Sequence, residues 1–243
     1  MRSDNGGIDR GTLATGVLGL LIAAVGLTAN AISGGVDLPP LDAPGEEIAA
    51  FADKYSTQLA WDVGLRFVIL FALFLPFCLG MSRHVRGGDE LAGWVARVPP
   101  LAAIWLAAVG GTANTLEAIA VFDHERLAAS PELARLLYIL TGAFYLLTLL
   151  PHAAVVGSLS EAARRTGRLP LWLCVGGYAV VAVSFVAVLT MPHSAGQLDS
   201  SLAGVVAVSA FAGVTLWYLL ASIVLVVWWV RSPARSLELE PAT

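Results

Sequence analysis

Six apolar runs constrain this chain more than any other feature: 12–32, 59–81, 99–122, 133–159, 171–191 and 202–230. An α-helix of about 20 residues crosses a hydrocarbon core about 30 Å thick, and in lipid every backbone polar group must find its partner within the fold. Closed barrels also meet that condition, but their strands are about ten residues long and alternate in polarity. The runs here are longer and do not alternate. The expected fold class is therefore all-α, a polytopic transmembrane helix bundle of six spans over 12–230. Composition agrees: 13% of residues are charged and 57% hydrophobic, whereas a soluble domain carries about 25% charged residues.

The connections sort by positive charge. Arg2 and Arg10 precede the first span, Arg83, Arg86 and Arg97 follow the second, Arg164, Arg165 and Arg168 follow the fourth, and Arg231 and Arg235 follow the sixth. The opposite side offers only Lys54, Arg126 and Arg135 among many acids. Lys and Arg near span ends mark the cytoplasmic face, so both termini are expected inside. That gives a cytoplasmic N-terminus over 1–11, an outer loop over 33–58 and a disordered cytoplasmic tail over 231–243. Within the outer loop Ile48, Phe51, Ala52 and Tyr55 recur at helical spacing beside Glu46, Glu47, Asp53 and Lys54, which predicts a short amphipathic helix lying over the outer mouth. Ala29-Asn30-Ala31 resembles a signal-peptidase site, but the apolar run is longer than a usual signal core and Asp4 and Asp9 precede it, which favours a retained span.

Ionisable groups inside spans cost about 2.5–3.5 kcal/mol each on insertion scales, so they usually face the bundle interior and mark function. Away from the span ends four occur: Asp62, Arg66, Glu117 and His152. Asp62 and Arg66 are four residues apart on the second helix, one turn above the other, with Arg66 about 10 Å below the outer boundary. They form either a self-neutralised structural pair or part of a site. On the third helix Ala103, Ala107, Gly110, Asn114 and Glu117 make one stripe, small along its inner half and polar along its outer half, turned toward neighbouring helices. On the fourth, Tyr138, Thr141, Tyr145, Thr148 and His152 follow spacings of three and four along one face. This stripe fits a polar path through the membrane, or ordinary hydrogen bonding between helices.

Other chemistries find little support. No basic cluster is long enough for nucleic acid. The glycines of the first span, Gly16, Gly19 and Gly26 with Ala23, form a helix-packing face, because a phosphate-cradling loop needs a strand-to-helix turn. None of His84, His124, His152 and His193 has another histidine at helical spacing, so neither a metal nor a cofactor is expected. Cys78 and Cys174 fall within spans and read as small apolar residues. Trp61, Trp94, Trp172, Trp228 and Trp229 lie near span ends as interfacial anchors, while Trp105 and Trp217 lie deeper.

Six spans, a long outer loop after the first, short arginine-bearing inner loops and abundant Ala, Val, Leu and Gly make the chain resemble bacterial six-span integral membrane proteins of no assigned function. That resemblance implies a place in the bacterial inner membrane and transfers no site residue. From the residues themselves the leading expectation is an outward-facing pocket that binds or transports a small amphipathic molecule, lined by Asp62, Arg66, Asn114, Glu117, Tyr138, Thr141 and Tyr145, with Thr148 and His152 on the path beyond. One alternative is an enzyme using Glu117 or Asp62 as a general acid on a lipid or isoprenoid substrate. Another is an accessory subunit with a membrane-protein partner or a second copy of itself. Membrane lipids are partners in every case.

Overall fold

Backbone hydrogen bonding in lipid leaves the chain little choice but helix, and helix is what forms. The structure, a computed structural model, describes residues 10–33, 39–40, 43–190 and 202–231. Among these, α1 spans Arg10–Ser33 and α2 spans Gly45–Phe67, passing through a π-helical segment, Val68–Leu73, into α3, Phe74–Val85. Then follow α4 (Glu90–Val95), α5 (Val98–Phe122), α6 (His124–Ala128), α7 (Pro131–Leu147), α8 (Leu149–Thr166), α9 (Leu171–Thr190) and α10 (Leu202–Arg231). Six helical bodies are long and apolar enough to cross a membrane: Arg10–Ala29, Gly45–Val85, Glu90–Phe122, Pro131–Thr166, Leu171–Thr190 and Val205–Arg231. The chain is a multi-pass, all-α membrane protein. The stretches 1–9 and 232–243, holding most of the expected tail, lie outside the described residues, as does His193.

The surface confirms which solvent the fold is built for. Leu101, Ile104, Leu171, Val175, Leu189, Val205 and Val208 are each more than half exposed, which water would penalise by about 25 cal/mol per Å² of apolar area and lipid does not. Beneath that belt, Phe77 and Met81 of α3, Leu106 of α5, Leu159 of α8 and Leu225 of α10 share one closed core. Both cysteines are fully buried in it. Trp217 is buried too and donates its indole N–H to the Leu173 carbonyl at 3.0 Å, whereas Trp105 is 46% exposed on the lipid face of α5.

Small residues decide how closely helices approach. α1 packs against α10, α3 and α2. A Cβ on Gly19 would fall 1.9 Å from Ser222 Oγ and 2.7 Å from Phe77 Cε2, and one on Gly80 of α3 would fall 2.0 Å from Thr15 Oγ1. The glycine face of α1 is thus a packing seam.

Two prolines follow irregular turns in two spans. Pro76 has no N–H to offer the carbonyl four residues earlier and its ring crowds that carbonyl, and the widened π-helical turn just before it accommodates the clash. Pro151 acts likewise at the α7–α8 junction, where Thr148 interrupts the helix and its hydroxyl donates to the Tyr145 carbonyl at 2.5 Å. At the far end of α8, Gly167 adopts φ +66°, a left-handed conformation that favours glycine, and the helix stops there.

The amphipathic segment expected to lie across the outer mouth does not lie flat. It is the first half of α2 itself, continuous with the second span in a helical body of 41 residues, about 60 Å long and twice the hydrocarbon thickness. Its apolar face is held upright by neighbours: Ile48 and Ala49 pack with Leu127 of the α6 helix and with Ala134 and Leu137 of α7. Gly45 permits the closest approach, since a Cβ there would sit 2.0 Å from the Pro131 carbonyl oxygen.

Candidate functional site

Three helices bring their polar residues to one point. Asp62 and Arg66 come from the last two turns of α2, Asn114 and Glu117 from the C-terminal half of α5, and Tyr145 from the end of α7. Arg66 lies two positions before the π-helical segment and Tyr145 three before the Thr148 break, so both stand where the regular backbone ladder gives way.

The Arg66 guanidinium is the hub. Its Nη1 donates to Glu117 Oε2 at 2.8 Å and to the Tyr145 hydroxyl, and its Nη2 pairs with Asp62 Oδ2. The guanidinium carbon also lies 4.9 Å from the centroid of the Tyr145 ring, within cation–π range. Tyr145 donates its hydroxyl to Asn114 Oδ1 at 2.5 Å, and the same oxygen touches Glu117 Oε2. A phenol has a single proton, so it satisfies one of these acceptors at a time. Burial is graded: Asp62 is fully buried, the Glu117 side chain is 15% exposed and that of Arg66 is 30% exposed. Two buried atoms in the cluster have no hydrogen-bond partner, Asp62 Oδ1 and Asn114 Nδ2.

The cluster is packed and does not itself enclose a pocket. Space opens next to it, in a groove of about 450 Å³ between α2, its π-helical continuation and α5. Phe67, Phe71, Ala108, Gly111, Thr112, Thr115 and Leu116 line this groove. Phe71, Ala108, Thr112 and Thr115 are exposed on the lipid-facing surface, so the groove opens sideways to the bilayer. Phe67 and Leu116 of the groove are chain neighbours of Arg66 and Glu117, so groove and cluster share the same stretches of α2 and α5, although no cluster residue lines the groove itself. The threonine hydroxyls are already bonded to the carbonyls of Ala108 and Gly111, so the wall presents mainly methyl groups and rings.

The fourth-span stripe is divided among separate surroundings. Tyr138 reaches the outer side, donating to the Pro39 carbonyl at 2.5 Å and packing beside the upright half of α2. Thr141 is buried, Tyr145 joins the Arg66 cluster, and Thr148 bonds its own helix. His152 follows Pro151, and its Nδ1 is 3.1 Å from the Tyr218 hydroxyl while the Phe74 ring meets it edge-on. Phe74 and Phe77 also meet the Tyr218 ring edge-on. The residues of the stripe thus have different partners, Tyr145 in the Arg66 cluster and His152 at the Tyr218 hydroxyl of α10.

Sequence reasoning missed the groove and the Tyr218 partner. Trp105, Ala108, Thr112 and Thr115 do share a helical face by spacing, which was the available signal, but an apolar wall facing lipid has the same composition as one facing protein. No protein-family model matches this chain, and neither a curated protein nor a solved structure does.

Proposed function

We propose that this protein binds a small amphipathic molecule, which enters from the bilayer through the groove between α2 and α5 and places its polar end against the Asp62–Arg66–Glu117 cluster. The observation that carries the reading is that the two helices carrying buried polar atoms without partners, α2 and α5, also wall a lipid-open groove over the same stretch of chain. Small-molecule pockets are usually about 300–1,000 Å³ and mostly apolar, with a few convergent polar groups, and this groove falls in that range. A bound polar group would satisfy Asp62 Oδ1 or Asn114 Nδ2, each of which otherwise costs about 1–3 kcal/mol. Movement of such a molecule between leaflets would make the protein a transporter.

The test uses a dansyl-labelled alkyl alcohol and the protein in phosphatidylcholine nanodiscs, with energy transfer from tryptophan reporting proximity. Saturable binding above that of empty nanodiscs is expected for the wild type. Thr112→Phe, which fills the groove from its exposed wall, should weaken it about tenfold, because the groove's apolar contact area is lost. Equal signal in the variant and the wild type would place the molecule elsewhere and remove the reading.

A further inference from the structure

The cluster contains one guanidinium and two carboxylates, so with both carboxylates ionised it is one negative charge in excess. Among the described residues, no other cationic side chain is paired with it. α1, packed on the other side of α2, carries no ionisable residue except Arg10 at its first position. From α5 the facing groups are Asn114 and Glu117, and from α7 Tyr145, all already in the network. Asp123, His124, Glu125 and Arg126 near α6, and Glu132 and Arg135 early in α7, belong to the outer end of the bundle, where His124 Nε2 faces Asp53 at 3.3 Å and Arg126 faces Asp123 at 3.6 Å.

Arg66 is also spent. Its terminal nitrogens engage Glu117, Tyr145 and Asp62, so an anionic ligand would have to displace a carboxylate from it. What stands open is an acceptor, the fully buried Asp62 Oδ1. Asn114 adds a second when its amide turns over: its N–H then donates to the Tyr145 oxygen, the phenol O–H donates to Glu117 instead, and the Asn114 carbonyl becomes free. The groove alongside supplies the ring faces of Phe67 and Phe71, surfaces that attract cations and repel anions.

We propose, resting on the amphipathic-ligand reading above, that the ligand is a cation: a lipophilic molecule with a single ammonium-type charge that offsets the excess carboxylate of the Asp62–Arg66–Glu117 cluster while its apolar part occupies the groove. A proton is the smallest species able to meet the same need, so protons and the ligand compete: where the cluster has taken up a proton, that proton leaves to solvent as the cation binds, and where both carboxylates are ionised the cation binds without proton release.

Three dansyl amphiphiles with one alkyl tail and trimethylammonium, hydroxyl or sulfonate heads separate this inference from the reading it rests on. In phosphatidylcholine nanodiscs, and after subtraction of partition into empty nanodiscs, the trimethylammonium probe should bind wild type about tenfold more tightly than the hydroxyl probe, and the sulfonate probe most weakly. Where protons compete, affinity for the trimethylammonium probe should fall about tenfold per pH unit on acidification, while that for the hydroxyl probe stays level. Asp62→Asn should abolish the head-group preference and leave the hydroxyl probe bound. The pH series needs only wild-type protein, so the inference stays testable even if the variant does not fold. Equal binding of all heads, or a preference for sulfonate, overturns the cationic ligand but leaves the groove standing if Thr112→Phe still blocks it. Failure of all three probes to bind wild type overturns both.

Discussion

Arg66 serves two carboxylates and a phenol from one side chain, and this makes it the least replaceable residue of the cluster. Its removal strands Asp62, fully buried, and Glu117 together, and breaking a buried pair by deleting one partner costs about 3–5 kcal/mol. Because Arg66 is itself 30% exposed, Arg66→Ala should fall at the lower end, about 3 kcal/mol, read as a drop in unfolding midpoint in detergent. Glu117→Gln keeps an acceptor for both donors and removes the excess charge, so it should cost less than about 1 kcal/mol or stabilise the protein. An equal loss in both variants would show that the network matters for shape alone. This part of the site is legible in the sequence because helical spacing fixes it: Asp62 and Arg66 are one turn apart, and Asn114 and Glu117 share a stripe. That Tyr145 rather than Tyr138 completes the cluster is not legible, since two tyrosines seven residues apart occupy the same face and only tertiary packing sets the depth at which α5 meets it.

Helices in this bundle are positioned by missing side chains and by irregular turns. The α1 seam leaves no room at Gly19, where an added Cβ would overlap Ser222 and Phe77 from two different helices. Gly19→Leu should abolish monodisperse protein, whereas Gly26→Leu, with only Ile69 at 3.9 Å from the added Cβ, should be tolerated. A π-helical turn is an α-helix carrying one extra residue, and this yields a second contrast. Deleting Ala72 from Val68–Leu73 converts the segment toward α-helix while the core face of Phe74, Phe77, Cys78 and Met81 can stay in place. Deleting Leu79 instead rotates Met81, Ser82 and Val85 off that face by about 100°. Folded yield by size exclusion should survive the first deletion and not the second. Span positions were readable because each requires about 20 apolar residues. The upright pose of the α2 extension was not, because a half-polar helix fits a membrane surface and a protein neighbour equally well. Its choice rests on Ile48 and Ala49 meeting Leu127 and Ala134 and on a backbone contact at Gly45 that spacing does not encode.

At the scale of the molecule, charge divides the two ends. The end carrying Arg83, Arg86, Arg97, Arg164, Arg165 and Arg168 includes a network in which Glu161 accepts from Arg164, Arg165 and Tyr178, and Arg165 reaches Asp89 at 3.5 Å. The other end carries the acid-rich extension of α2, with Glu46, Glu47 and Asp53. Basic span ends are expected to face the cytoplasm, and on that expectation the Arg66 cluster and its groove belong to the outer half of the bilayer. Labelling with a membrane-impermeant maleimide reads this directly, since Cys78 and Cys174 are fully buried and should stay silent without being removed. Asp53 is 65% exposed at its side chain, so Asp53→Cys should react in intact cells. Gly88, with open space where a Cβ would stand, should react as Gly88→Cys only after the membrane is permeabilised. The reverse pattern would invert the bundle, put the groove in the inner leaflet, and require any amphipathic ligand to arrive from the cytoplasmic side.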